Sequence, residues 1–144
     1  MKKSGLIATL AAGMILLSAC GSGTKTIDAA ALASSLATDI SYDDTLEKIS
    51  DEDVSMYIEV PKDVKSYVYM GSGSTAEEVA VFEAPDKDTA STVKDNVQTY
   101  LDDQSDSFQD YIPEESKRIG NAVLEQEDQY VILCVSGDSD GAKE

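Results

Sequence analysis

Val64-Lys65-Ser66-Tyr67-Val68-Tyr69-Met70, then Gly71-Ser72-Gly73-Ser74-Thr75-Ala76, then Val79-Ala80-Val81-Phe82-Glu83-Ala84 reads as two strands and the loop that joins them. β-branched and aromatic side chains suit a pleated, half-buried surface, and the small polar run between them suits a turn, so the pattern predicts a hairpin. A second pair lies downstream. Ala122-Val123-Leu124 and Tyr130-Val131-Ile132-Leu133-Cys134-Val135 flank the polar residues Glu125 to Gln129, which predicts another antiparallel hairpin with a loop of four or five residues.

Helical periodicity fills the intervals. Leu32, Leu36 and Ile40 recur on one face among Ala29, Ala30, Ala31 and Ala33, with Thr26 placed to cap the helix and Asp28 in its first turn. Leu46 to Ile49 is a short extended piece, and Asp51-Glu52-Asp53 opens a short helix reaching about Tyr57, where carboxylates meet the positive end of the dipole. Behind Pro85, the apolar positions Ala90, Val93, Val97, Tyr100 and Leu101 predict the longest helix, from Asp86 to near Gln104. Pro113-Glu114-Glu115 starts another that ends by Gly120, because proline is tolerated in a first turn. The order helix, hairpin, helix, hairpin predicts an α+β fold: a mostly antiparallel sheet of about four strands, in two hairpins, with helices packed on one face. The folded unit is expected over 27–136, with residues 137–144 a disordered tail.

The beginning of the chain carries an address. Met1-Lys2-Lys3 is positive, and Gly5 to Leu17 is thirteen residues without a charge, the form of a signal-peptide core over residues 1–19. A membrane-spanning helix needs about 20 apolar residues, and here the run breaks at Ser18. Leu17-Ser18-Ala19-Cys20 resembles the lipobox of bacterial lipoproteins. Small side chains at Ser18 and Ala19 let a peptidase approach the extended backbone, and the Cys20 thiol is the soft nucleophile that diacylglycerol transfer requires. The expectation is cleavage before Cys20, palmitate-type acylation of Cys20, and a flexible tether over residues 20–26. With Cys20 acylated, Cys134 has no partner in its own chain and reads as packing in a buried strand.

Charge removes several classes of function. There are 28 Asp and Glu against 11 Lys and Arg, a formal charge of -17 that opposes phosphate backbones and anionic headgroups, so nucleic acid is not expected as a partner. The absence of histidine excludes Ser-His and Cys-His catalysis and leaves zinc poorly supplied with ligands. Gly71-Ser72-Gly73-Ser74-Thr75 lacks the lysine and spacing of a phosphate-binding loop. Asp138-Ser139-Asp140-Gly141 opens like a calcium loop, but the oxygen ligands such a loop needs over twelve positions do not follow. No metal, cofactor or catalytic residue is expected.

Glu78-Val79-Ala80-Val81-Phe82, Phe108-Gln109-Asp110-Tyr111-Ile112-Pro113-Glu114-Glu115, Asn121-Ala122-Val123 and Tyr130-Val131-Ile132-Leu133 together resemble the family called domain of unknown function 4358, from about Ile27 to Asp138. The resemblance implies a small lipoprotein of Gram-positive bacteria at the cell surface and supplies no activity or catalytic residue. The chain departs from the pattern at Glu83, where relatives are expected to carry lysine, and at Glu127-Asp128-Gln129, where a glycine-containing turn is usual. Phe108 to Glu115 is read as stapling a loop to the core, with Tyr111 and Ile112 as an apolar plug, in preference to a ligand-facing lip.

The expected function is therefore a non-catalytic binding or interaction domain, anchored by lipid on the extracellular face of a cell membrane and facing an unknown extracellular protein or ligand. The alternative is a carboxylate-dependent hydrolase acting on envelope glycans. Two carboxylates about 5 to 9 Å apart in a cleft would mark it.

Overall fold

Residues 26–143 are described by a computed structural model; the signal peptide expected over residues 1–19, the Leu17-Ser18-Ala19-Cys20 motif and most of the expected tether lie outside them. Two central strands organise the molecule. β3 (Glu78–Glu83) and β5 (Tyr130–Val135) pair antiparallel, Val81 opposite Ile132, and nearly every residue of both is buried. β2 (Lys65–Met70) flanks β3 and β4 (Val123–Glu127) flanks β5, so both hairpins form and join side by side. The extended piece near Leu46 becomes a fifth strand, β1 (Glu47–Lys48), which adds to β2 at the sheet edge, and the order is β1-β2-β3-β5-β4.

Helices cover both faces of this sheet, which corrects the expectation that they pack on one. On one face α2 (Asp51–Tyr57), α3 (Lys87–Gln109) and α4 (Pro113–Gly120) bury Val54, Val93, Val97, Leu101 and Ile119 against Val68, Ala80, Phe82, Val131 and Leu133. On the other, α1 (Ala29–Asp39) lays Ala29 and Ala33 on Val81 and Tyr130, with Leu32 and Leu36 beside them. The cause is visible in β3 and β5: alternation is lost because both faces of each strand are apolar, and a sheet that is apolar on both faces needs two covers. Small side chains at Ala29 and Ala33 let α1 approach the sheet closely.

Local chemistry sets the helix ends. Asp28, rather than Thr26, caps α1, its carboxylate accepting the Ala31 N–H at 3.0 Å. Ile27 donates its N–H to the Tyr130 hydroxyl at 3.2 Å, which fixes the entry of the chain at the start of β5. Ser50 caps α2 through the Asp53 N–H, and Asp86 caps α3 through the Thr89 N–H. α3 runs five residues beyond the expected end near Gln104, because Phe108 returns to the buried face seven residues after Leu101 and packs against the main core. Ser105 and Ser116 hydroxyls, 2.7 Å apart, then join α3 to α4.

The second hairpin turns in two residues, Asp128 and Gln129, not four or five, since Glu127 pairs with Tyr130. Asp128 takes φ of 50°, a left-handed conformation that aspartate tolerates and glycine adopts freely. The turn without glycine thus takes a backbone that a glycine there would also adopt. Replacing Asp128 by glycine is expected to change stability by less than about 0.5 kcal/mol, and replacing it by valine to lower stability by about 1 to 2 kcal/mol, both read by urea denaturation. Glu83 faces Lys65 across β2 and β3 at 3.2 Å, an exposed ion pair. Beyond β5, the segment read as a tail carries one 3-10 turn, Gly141–Lys143, with Ala142 against the sheet cluster of Val79 and Cys134.

Candidate functional site

The loop between β2 and β3 is shaped by residues far from it in sequence. Asp44 accepts the N–H of Ser72 at 2.7 Å and its hydroxyl at 2.6 Å, and these bonds hold the Asp44 carboxyl below the usual carboxylate range. A Cβ on Gly71 would lie 2.8 Å from Asp44 Oδ2, so a side chain there would displace the Asp44 carboxylate from its bonds to Ser72. At the end of the loop, Glu77 is fully buried and both of its oxygens are used: Oε1 accepts the Asp43 N–H at 3.1 Å and Oε2 the Asp44 N–H at 2.8 Å.

Arg118 of α4 ties this corner together. Its Nη1 lies 3.3 Å from Glu77 Oε1 and 3.1 Å from Glu115 Oε2, and its Nη2 donates to Asp43. Glu115 also accepts the Ala76 N–H at 2.7 Å. One guanidinium therefore serves three carboxylates, two of them buried, and fixes α4 to both ends of the loop.

Beside this frame, α2, α3 and the loop enclose a half-open cleft of about 320 Å³. Ile49, Met70 and Phe108 give it apolar walls, Tyr57 and Tyr100 aromatic ones, and Asp53, Gln104 and Glu78 its polar groups. Glu78, 3% exposed, starts β3 at the base. Its Oε2 accepts the Tyr100 hydroxyl at 3.0 Å, while its Oε1 has no hydrogen-bond partner among the described residues. Among those residues the one sealed side-chain oxygen or nitrogen without a partner is Ser136 Oγ, so Glu78 Oε1 is reached from the cleft. Burial pushes the Glu78 carboxyl up to about 8 although the Tyr100 bond acts against this, and burial beside that carboxyl raises the Tyr100 phenol. At neutral pH the base of the cleft is an uncharged acid.

The sequence-derived candidates scatter. Gly71 to Ala76 forms the hairpin loop and also the rim of the cleft. Phe108 lines the cleft, Ile112 is the half-buried residue before Pro113, and Tyr111 is 80% exposed, so Tyr111 is no part of a plug. The physical reason is that Tyr111 lies in the tight turn between α3 and α4, where the Ile112 N–H and the Tyr111 N–H both bond Phe108 and the tyrosine ring is left outside. Cys134 is buried in β5 with its sulfur 3.5 Å from the Tyr42 hydroxyl, and burial raises its thiol. Asp138 accepts the Gly141 N–H at 3.0 Å, closing a local turn. Among the described residues no group of three or more acids or cysteines is arranged to hold a metal ion, and no helix is long and apolar enough to cross a membrane.

Glu77, Glu78 and Arg118 were not among the candidates. A signal existed in Glu78, which abuts an uninterrupted apolar strand, and in Tyr100, whose polar tip sits on the apolar stripe of α3. No curated protein and no solved structure matches the chain. A family model does, described as domain of unknown function (DUF4358), over residues 40–136. That segment starts at the residue closing α1 and runs through every strand, the Arg118 frame and the cleft. With most of its length and its whole candidate site inside the match, the chain belongs to the domain of unknown function DUF4358 family.

Proposed function

We propose that this protein is a lipoprotein held to the outer face of a membrane by acyl chains on Cys20, and that its cleft binds a ligand without transforming it. The observation that carries the binding reading is the Oε1 of Glu78, without a hydrogen-bond partner among the described residues, at the base of a cleft with aromatic and apolar walls. Concave, largely apolar sites with few convergent polar groups are where small ligands bind. The anchor rests on the leader and on Leu17-Ser18-Ala19-Cys20.

A hydrolase of envelope glycans is the lesser reading. A raised acid such as Glu78 suits a proton donor, but the second carboxylate is poorly provided. Glu77 is consumed by Arg118 and two backbone N–H groups, and Asp53 accepts the Ser50 hydroxyl at 2.7 Å in the α2 cap.

Two measurements test this function. Cys20→Ala is expected to abolish metabolic labelling with palmitate and to leave an uncleaved or shed product; unchanged labelling would refute the anchor. Native mass spectrometry of the protein released from its own cells is expected to find a small molecule at one per chain, recovered chemically unchanged. A cleaved product would favour the hydrolase.

A further inference from the structure

Resting on the reading of the cleft as a binding site, we infer that the group it takes is an organic cation, an alkylammonium seated on Glu78 Oε1 with its apolar body against Tyr57 and Phe108. Three independent features converge on that chemistry. The free oxygen of Glu78 is an acceptor in its ionised form and has nothing among the described residues to accept from. Tyr57, Tyr100 and Phe108 line the same cleft, and aromatic faces attract ammonium groups through the ring quadrupole. The chain's formal charge is -17, so its field concentrates cations and repels carboxylates and phosphates. The Gln104 side-chain amide also lines the cleft without a hydrogen-bond partner among the described residues, which gives a second polar group for the ligand.

Binding is coupled to a proton. Glu78 is uncharged in the empty cleft, so the ammonium selects the ionised form and one proton leaves to solvent. The titratable groups sharing the cleft are Asp53 and Tyr57 from α2, Tyr100 from α3 and Glu77 beside Glu78. On α4 the nearby charges are Glu115 and Arg118, which pair with each other, and Arg118 pairs also with Glu77. Val135, opposite Glu78 on β5, and Ile119 of α4 carry no charge.

The test is calorimetric titration of the full lipidated protein in zwitterionic phosphatidylcholine nanodiscs with 2-phenylethylammonium, 2-phenylethanol and 3-phenylpropanoate, against empty nanodiscs. The ammonium is expected to bind at least roughly tenfold tighter than the alcohol, and Glu78→Gln, which keeps an acceptor for Tyr100, to remove that preference. Tyr57→Ala, at a residue 55% exposed and so harmless to the core, is expected to weaken the ammonium about two- to fivefold. Affinity should climb about tenfold per pH unit from about pH 6 and level off above about pH 8, because only the ionised fraction binds. Alcohol binding as tight as the ammonium overturns the cation inference and leaves the cleft as a binding site. Binding by none of the three overturns it as well, and the ligand recovered from cells then decides whether the cleft reading falls with it.

Discussion

Arg118→Leu is expected to lower the free energy of unfolding by about 3 to 5 kcal/mol, the largest loss for any single substitution considered for this chain. The arginine is the shared partner of Glu77, Glu115 and Asp43, and the first two are buried. Removing it strands two carboxylates in a low-dielectric corner, each having given up its water. Surface ion pairs such as Lys65 with Glu83 are worth far less, because solvent screens both partners. Arg118→Lys is expected to recover only part of the loss, since an ammonium cannot reach three acceptors with a planar fork. Combining Arg118→Leu with Glu77→Gln and Glu115→Gln should recover more than Lys does, because the stranded charges go with their partner. Urea denaturation of the four proteins checks this, and a loss under about 1 kcal/mol for Arg118→Leu would show the corner to be wetter than its burial implies.

Glu78→Gln is expected to stabilise the protein above neutrality. The folded carboxyl sits near 8 and the unfolded one at the ordinary 4.5, so the native state holds the extra proton between these values. Stability from this group is fully present below about pH 4.5, falls as pH rises toward 8 at roughly 1.4 kcal/mol per pH unit, and is level beyond. The loss across that window is of the order of a few kcal/mol. Asp44 and Asp86 act in the opposite sense, being held low by bonds from Ser72 and Thr89, and they matter only in acid, below their ordinary 3.8. Denaturation midpoints from pH 5 to pH 9 should therefore slope downward in the native protein and flatten in Glu78→Gln. An unchanged slope would place the titration elsewhere. A buried acid whose pKa is strongly raised and which lines a cleft has the character of a functional group more than of a packing residue.

The contrast between what was and was not legible follows chain distance. Asp51 to Asp53 opening α2, the α3 stripe of Ala90, Val93 and Val97, and Pro113 opening α4 are local, set by neighbours three or four residues away, and each was readable, whereas the Ser50 cap of α2 was not read. Both hairpins were readable because each joins strands consecutive in sequence across a short polar run, although the second loop has two residues where four or five were expected. Thr26 displaced by Asp28 was a contest between two good caps two residues apart, decided by where Ala29 and Ala33 meet the sheet. The second helical face was written in Val79 to Phe82, where four apolar residues in succession leave no side for water, but reading it required knowing that β3 is central. The site was not legible. Glu78 meets Tyr100 across 22 positions, Ser72 meets Asp44 across 28, and Arg118 meets Asp43 across 75. Among 28 acids nothing local distinguishes these from solvated ones. The family match carries the same silence, since it fixes membership without naming a chemistry.

The bond from the Ile27 N–H to the Tyr130 hydroxyl bears on orientation. Tyr130 pairs with Glu83 at one end of the sheet, and Glu78 pairs with Val135 at the other. The chain thus comes in beside one end of the central strands, and the cleft opens at the opposite end, five residue steps or roughly 17 Å away along β3. Under the proposed anchor at Cys20, that polarity would set the mouth away from the lipid headgroups by about the height of the sheet, on the side from which a soluble molecule arrives.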